Sequence, residues 1–158
     1  MPTVLRRARP EDAGHVAEVL ISARGEFMPF APSAHPDHEV RQWVREVLLS
    51  THEVTVATDA RRVVGVLACS RKGEHSWIGQ LMLDPAVVGR GIGSQLLEHA
   101  VATMPSPIRL YTFQPHVRAR KFYERHGFVA IEFTDGRSNE ERVPDVLYEF
   151  SQAPGRVV

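Results

Sequence analysis

Between Leu81 and Ala100 the chain reads LMLDPAVVGRGIGSQLLEHA. An apolar run stops at Asp84-Pro85, and apolar residues then recur at Ile92, Leu96, Leu97, Ala100 and Val101 with helical spacing. A strand therefore feeds an amphipathic helix through a turn that holds Gly89, Gly91 and Gly93. This limits the fold to architectures that alternate strands and helices. The same turn suits an anion. Unpaired N–H groups at a helix start point outward, the helix dipole adds about half a positive charge, and glycines let a phosphate approach the backbone. Arg90 adds a charge-assisted contact. Two nucleotide readings fail on spacing. A dinucleotide fingerprint needs a third glycine at the sixth position, which counted from Gly89 is Ser94, and a Walker A loop needs Gly-Lys-Ser/Thr, which is absent.

The rest of the chain supports one α/β unit. Residues 3–9 (TVLRRAR) read as a strand, and Pro10, Glu11 and Asp12 start a helix whose Ala13, Val16, Ala17 and Leu20 recur to about Arg24. Residues 25–38 (GEFMPFAPSAHPDH) hold three prolines and read as a loop. Asp37 is the expected cap of a second helix with the stripe Val40, Trp43, Val44, Val47 and Leu48. EVTVAT and VVGVLACS form a hairpin, SWIGQLMLDP continues it as a third consecutive strand, and the strand IRLYTF follows the glycine-turn helix, before a helix with Ala119, Phe122 and Tyr123 that ends near Gly127. FVAIEF and DVLYEF are the last strands, separated by the polar loop TDGRSNEERVP.

Two stretches of this order carry a family signature. Val88-Gly89-Arg90-Gly91-Ile92-Gly93 is similar to the loop Gln/Arg-x-x-Gly-x-Gly/Ala of the GNAT N-acetyltransferase superfamily, departing at Val88. FQPHVRARKFYERHGF resembles its second signature, Asn-x-x-Ala-x-x-Phe-Tyr-x-x-x-Gly-Phe: His116 stands at the Asn position, while Ala119, Phe122, Tyr123, Gly127 and Phe128 match. The resemblance covers residues 3 to about 150. It implies a single-domain α/β fold over residues 1–150, with residues 151–158 as a tail. The expected core is a mixed, mostly antiparallel sheet of about seven strands flanked by about four helices.

It further implies acetyl-coenzyme A as acyl donor and no metal. Val88, Gly89, Arg90, Gly91, Ile92, Gly93 and Ser94 would hold the pyrophosphate, chiefly through backbone donors. Leu81, Met82 and Leu83 would pair with the pantetheine arm, with His116, Ala119 and Phe122 on the facing helix. Tyr123 takes the role of general acid, since a phenol of pKa about 10 is closely matched to a departing thiolate whose acid lies near 8 to 9. No base carries over from the motif. Trp77 and Gln80 stand where the family often has acids, which leaves Glu39, His38, His35, His75 or a water.

The connection between the first two helices borders the acceptor pocket in this fold. Here it carries Arg24, Phe27, Phe30, His35, His38 and Glu39, a cluster richer in aromatic and titratable groups than a linker needs, and Trp77 joins the candidate acceptor residues. The alternative for His35 to Glu39 is a plain helix-capping region. Residues 139–145 read as a solvated loop, with folding over the acceptor as the alternative. Arg118, Arg120, Lys121 and Arg125 form a basic helix face, equally suited to solvent or to the 3′-phosphate of coenzyme A.

Composition excludes several classes. Nineteen Lys and Arg balance nineteen Asp and Glu, so no global field favours nucleic acid or an anionic membrane; the partner that the resemblance implies is a small-molecule or peptide amine. Cys69 stands alone, which rules out an internal disulfide and a four-cysteine zinc site and marks it as a buried structural thiol. No 18-residue apolar run or signal-peptide core is visible, so a cytoplasmic location is expected. The resemblance also makes a homodimer a common assembly. The leading expectation is an N-acetyltransferase acting by direct amine attack in a ternary complex; the alternative is a non-catalytic acyl-coenzyme A binding module.

Overall fold

The computed structural model describes residues 2–152 of the 158-residue chain. Most of the expected tail, residues 153–158, lies outside the described residues.

Seven strands form one sheet: β1 (Val4–Arg7), β2 (Glu53–Asp59), β3 (Arg62–Lys72), β4 (His75–Leu83), β5 (Ile108–Phe113), β6 (Val129–Phe133) and β7 (Asp145–Phe150), in the order β1-β2-β3-β4-β5-β7-β6. Every neighbouring pair is antiparallel except β4 and β5. This is the mixed, mostly antiparallel sheet that the family resemblance implied.

Helices cover both faces. Pro10 opens a 3-10 turn over Pro10–Asp12, and α1 (Ala13–Phe27) follows, two turns of its apolar face buried through Val16, Ala17, Val19, Leu20 and Ala23. It runs one turn past Arg24 because nothing stops it before Met28 and Pro29. The second helix, α2 (Asp37–Trp43), has Pro36 rather than Asp37 at its cap position; Pro36 holds the extended conformation, so the helix starts one residue earlier than a cap at Asp37 would place it. A π turn over Val44–Leu48 then inserts an extra residue per turn. Val44 and Leu48 are thereby buried while Trp43 and Val47 of the expected stripe stay exposed. These helices pack Val16, Leu20, Val44 and Leu48 on Val54, Val56, Val66 and Ala68.

On the opposite face α3 (Ile92–Thr103) and α4 (Val117–Arg125) cover Leu67, Cys69, Ile78, Ile108, Leu110 and Tyr148. Burying side chains of this size stabilises by about 1.5–3 kcal/mol each. Cys69 sits in this core, where burial pushes its thiol pKa up to about 12. Among the described residues no helix is long and apolar enough to cross a membrane.

Candidate functional site

The parallel pair in the sheet is short. β4 and β5 register only at Ser76↔Ile108 and Trp77↔Arg109, after which the two strands part. Residues Gly65 to Ala68 of β3 still pair with Leu83 to Gln80, so on the side facing β5 the backbone of residues 80–83 has no strand partner. Gly79 lies unpaired between Ala68↔Gln80 and Cys69↔Ile78, a bulge that bends β4 where the gap opens. An extended molecule laid against residues 81–83 would meet unpaired amides and carbonyls, as an added strand would.

At the end of β4 the turn is pinned from behind. The Asp84 amide donates to Val64 O at 2.8 Å, Asp84 Oδ1 accepts from Ala86 N at 2.9 Å, and Arg62 pairs with the same carboxylate. Gly89 (φ 90°) and Gly91 (φ 81°) take the left-handed conformations that let the chain double back and start α3. Ile92 is buried in the core, so it can offer a ligand only its backbone. The Arg90 guanidinium pairs with Asp59 of β2 at 3.3 Å, and Arg90 does not line the cleft. Val88, Gly89, Gly91, Gly93 and Ser94 do line it, in a cavity of about 300 Å³ shared with Leu81, Leu83, Ala119, Phe122, Arg118 and Arg125. Arg118 lies over the Phe27 ring at 5.7 Å, whereas Arg120 is turned away toward Tyr148 Oη at 3.2 Å.

A second cavity of about 510 Å³ fills the gap between β4 and β5. His116, Ala119 and Tyr123 belong to both cavities and mark their junction. The Tyr123 ring is clamped by Phe122, Phe128 and Tyr148, with centroids 5.3, 5.8 and 6.2 Å away. Its hydroxyl has no protein partner, yet no buried polar side-chain atom among the described residues is left unsatisfied, so this oxygen opens on the cleft. Burial raises its pKa, keeping it a proton carrier at any physiological pH. His116 is shifted the other way. Burial and the nearby Arg118 lower its pKa and favour the neutral ring, which stands edge-on to Phe30 at 5.9 Å.

The third and largest cavity, about 850 Å³, lies between α1, α2 and the β6–β7 loop and is lined by Arg24, His35, Glu39, Gln80, Met82, Glu140 and Glu141 among others. Residues 139–145 border this cavity instead of standing free in solvent: Asn139, Glu141 and Val143 are half-buried and Asp145 is buried, while Glu140, Arg142 and Pro144 stay exposed. Asp145 organises them: its carboxylate accepts from Thr134 and from Asn139 Nδ2 at 3.1 Å, and Gln114 Nε2 ties Thr134 O and Asp145 O at 2.9 and 3.1 Å. Glu141 then meets Arg24 at 3.3 Å, and His35 bridges Glu39 at 3.1 Å and Glu140 at 3.0 Å. Both nitrogens of His35 thus face carboxylates, an arrangement that the doubly protonated ring satisfies, and its pKa is raised by Glu39 first and Glu140 second.

Some sequence candidates are not brought here. Phe30 packs behind the site against Phe113 at 6.1 Å, His38 is exposed, and Trp77 stacks on Tyr111 at 5.8 Å below the point where the strands part. None of the three lines any of these cavities, nor does His75 at the start of β4. Glu140 and Glu141 line the largest of the three cavities, as the alternative reading of residues 139–145 as a loop over the acceptor has it. No group of three or more His, Cys, Asp or Glu among the described residues is placed to hold a metal ion.

Comparison with known proteins agrees with this geometry. The sequence profile of the acetyltransferase (GNAT) family matches residues 20–128. The peptidyl-lysine N-acetyltransferase YjaB of Salmonella typhimurium strain LT2 is 28% identical over 127 residues, 78% of this chain and 81% of that protein. The solution structure of apo-form YjaB from Escherichia coli superposes with a TM-score of 0.75 at 25% identity, over 97% of this chain and 100% of the other. The PaiA N-acetyltransferase of Thermoplasma acidophilum, solved in complex with coenzyme A, shares the fold with a TM-score of 0.78 at 20% identity, covering 96% of this chain and 100% of that one.

Proposed function

The chain belongs to the GNAT acetyltransferase family and is an acetyl-coenzyme A-dependent N-acyltransferase; on that premise we propose that it moves the acetyl group to a primary amine by direct attack in a ternary complex. The observation that carries this reading is the parting of β4 from β5, which joins three things in one cleft: the unpaired strand edge at residues 81–83, the glycine turn and the Tyr123 hydroxyl. The donor would lie with its pyrophosphate on the amides of Gly89 to Ser94 and its pantetheine arm along Leu81, Met82 and Leu83, which brings the thioester to the junction lined by Tyr123.

The amine enters from the cavity bounded by α1, α2 and the β6–β7 loop, where Arg24, His35 and Glu39 stand. Its nitrogen adds to the thioester carbon, the C–S bond breaks, and the sulfur takes the proton of Tyr123. The four carboxylates around that cavity, Asp37, Glu39, Glu140 and Glu141, suit a cationic acceptor over an anionic one. A peptide lysine, the acceptor named for the Salmonella relative, fits this chemistry.

The test uses acetyl-coenzyme A alone and then with a panel of amines. Acetyl-coenzyme A should raise the melting temperature, and a lysine-containing peptide should release free thiol. Tyr123→Phe should keep the melting shift while turnover falls about 100-fold, the usual contribution of one general acid. Binding without turnover on any amine would overturn the reading. The assay has little protein background, because Cys69 is buried and scarcely ionised.

A further inference from the structure

The proton that the amine must shed has no titratable acceptor on the cleft-lining part of β4, where Gln80 faces the gap and His75 lines none of the cavities. Four carboxylates border the acceptor cavity, and of these only Glu141 also borders the central cavity that Tyr123 opens on. We propose that Glu141 receives that proton and that Arg24 positions its carboxylate; this rests on the acetyl-transfer reading above.

The competing carboxylates are engaged or, like the exposed Asp37, border the acceptor cavity without reaching the central one. Both oxygens of Asp145 are held, by Thr134 and Asn139. Glu39 and Glu140 clasp His35 at the outer rim, with side chains 48% and 66% exposed. Glu132 borders the central cavity from strand β6 but not the cavity from which the amine arrives. Glu141, by contrast, has a side chain only 14% exposed and a single ion-pair partner, Arg24, at 3.3 Å. A carboxylate offers about four lone-pair sites, so room remains for an ammonium or amine N–H. Arg24 is itself fixed, donating from Nη1 to Ala31 O at 2.9 Å. The loop that carries Glu141 is built rather than slack: a Cβ on Gly136 would lie 2.4 Å from Val143 C, so the turn closes against its own return strand.

The chemistry balances without further reactants. An amine of pKa about 10.4 is about one part in a thousand neutral near pH 7.4, and that fraction attacks. The C–N bond forms and leaves a positively charged nitrogen, far more acidic than the free ammonium because the adduct carbon withdraws electrons. Glu141 takes its proton, the C–S bond breaks, and Tyr123 protonates the thiolate. The carboxyl of Glu141 then returns a proton to the tyrosinate through solvent, and both groups regain their starting states.

The probes are a peptide with one lysine and the same peptide with an aminooxy side chain at that position, whose nitrogen is neutral at assay pH and whose adduct gives up its proton readily to water. Glu141→Gln should lower kcat on the lysine peptide about 100-fold and on the aminooxy peptide less than about 10-fold. Glu141→Asp should recover part of the loss, and the melting shift with acetyl-coenzyme A should be unchanged in both variants. Retention of kcat within about three-fold, or an equal loss on both peptides, would overturn the assignment, since a merely structural role ignores the acidity of the nucleophile. Wild-type protein that binds acetyl-coenzyme A yet acetylates neither peptide would bring down the acetyl-transfer reading itself, a result distinct from a variant-specific failure.

Discussion

The guanidinium of Arg24 lies 3.3 Å from the carboxylate of Glu141, which joins the last turn of α1 to the β6–β7 loop across the acceptor cavity. A second bond from the same guanidinium reaches Ala31 O at 2.9 Å, so one side chain ties together both segments that wall the cavity. Truncating it removes a partly buried ion pair and a charge-assisted hydrogen bond, the latter type worth about 1.5–3 kcal/mol. Arg24→Gln should therefore speed amide exchange in residues 28–36 and 136–144, raise the KM for an amine and leave the affinity for acetyl-coenzyme A unchanged. Exchange rates equal to those of the wild type would show that the loop holds itself closed.

His35 adds a pH-dependent clasp to the same opening. Its ring bonds Glu39 on α2 and Glu140 on the β6–β7 loop, and these two carboxylates raise its pKa above the usual 6.5. Because the folded pKa is raised, the clasp is fully present below pH 6.5 and is lost as pH climbs through the raised value. Titration followed by NMR should place His35 above 6.5 in the wild type and return it toward 6.5 in Glu39→Gln and Glu140→Gln, with loop exchange faster on the alkaline side. A His35 that titrates at or below its ordinary value would exclude the clasp.

Gly91 and Gly93 separate backbone shape from ligand space. Gly91 sits at φ 81° with open space around it, so Gly91→Ala strains the backbone by about 1–2 kcal/mol and should lower the melting temperature. Gly93 is helical, and a Cβ there would meet Leu83 and Phe122 at 3.5 Å, an ordinary contact. Gly93→Ala should thus be neutral or stabilising by up to about 1 kcal/mol, while its methyl enters the cleft on which the donor's pyrophosphate would rest. Calorimetry should find acetyl-coenzyme A binding weakened in Gly93→Ala despite the intact fold.

The difference between legible and illegible parts follows the range of the interactions. Strands such as Ile108–Phe113, the glycine turn and the helix face of Ala119, Phe122 and Tyr123 rest on local periodicity and local turn chemistry, and the sequence announces them. The placement of Glu141 inside the cleft depends on Asp145, Thr134 and Gln114, which come from three separate strands or loops, so no window of the chain contains the reason for it. Arg90 is a similar case: its ion pair with Asp59, 31 positions earlier, joins the glycine turn to β2 and has no signal in any local window. The π turn at Val44–Leu48 interrupts the periodicity used to choose buried positions, and Val47 within it emerges on the surface.

The β2–β3 turn carries a cost that can be removed. Asp59 pairs with Arg62, and the two residues between them, Ala60 and Arg61, have φ of 50° and 69°. Two left-handed central residues define a type I′ turn, whose twist matches that of the flanking strands but which favours Asn-Gly. A residue with a Cβ pays about 1–2 kcal/mol in that region, and glycine pays almost none sterically while adding freedom to the unfolded chain. The gain from Arg61→Gly is therefore the difference, about 1 kcal/mol, or about 2–4 °C in melting temperature for a chain of this size. Arg61→Val makes the opposite change, placing a β-branched side chain at a positive φ, and should lower the melting temperature. Scanning calorimetry of the two variants settles the sign, and a stability that falls in Arg61→Gly would mean that the arginine side chain contributes more through its surroundings than its backbone costs.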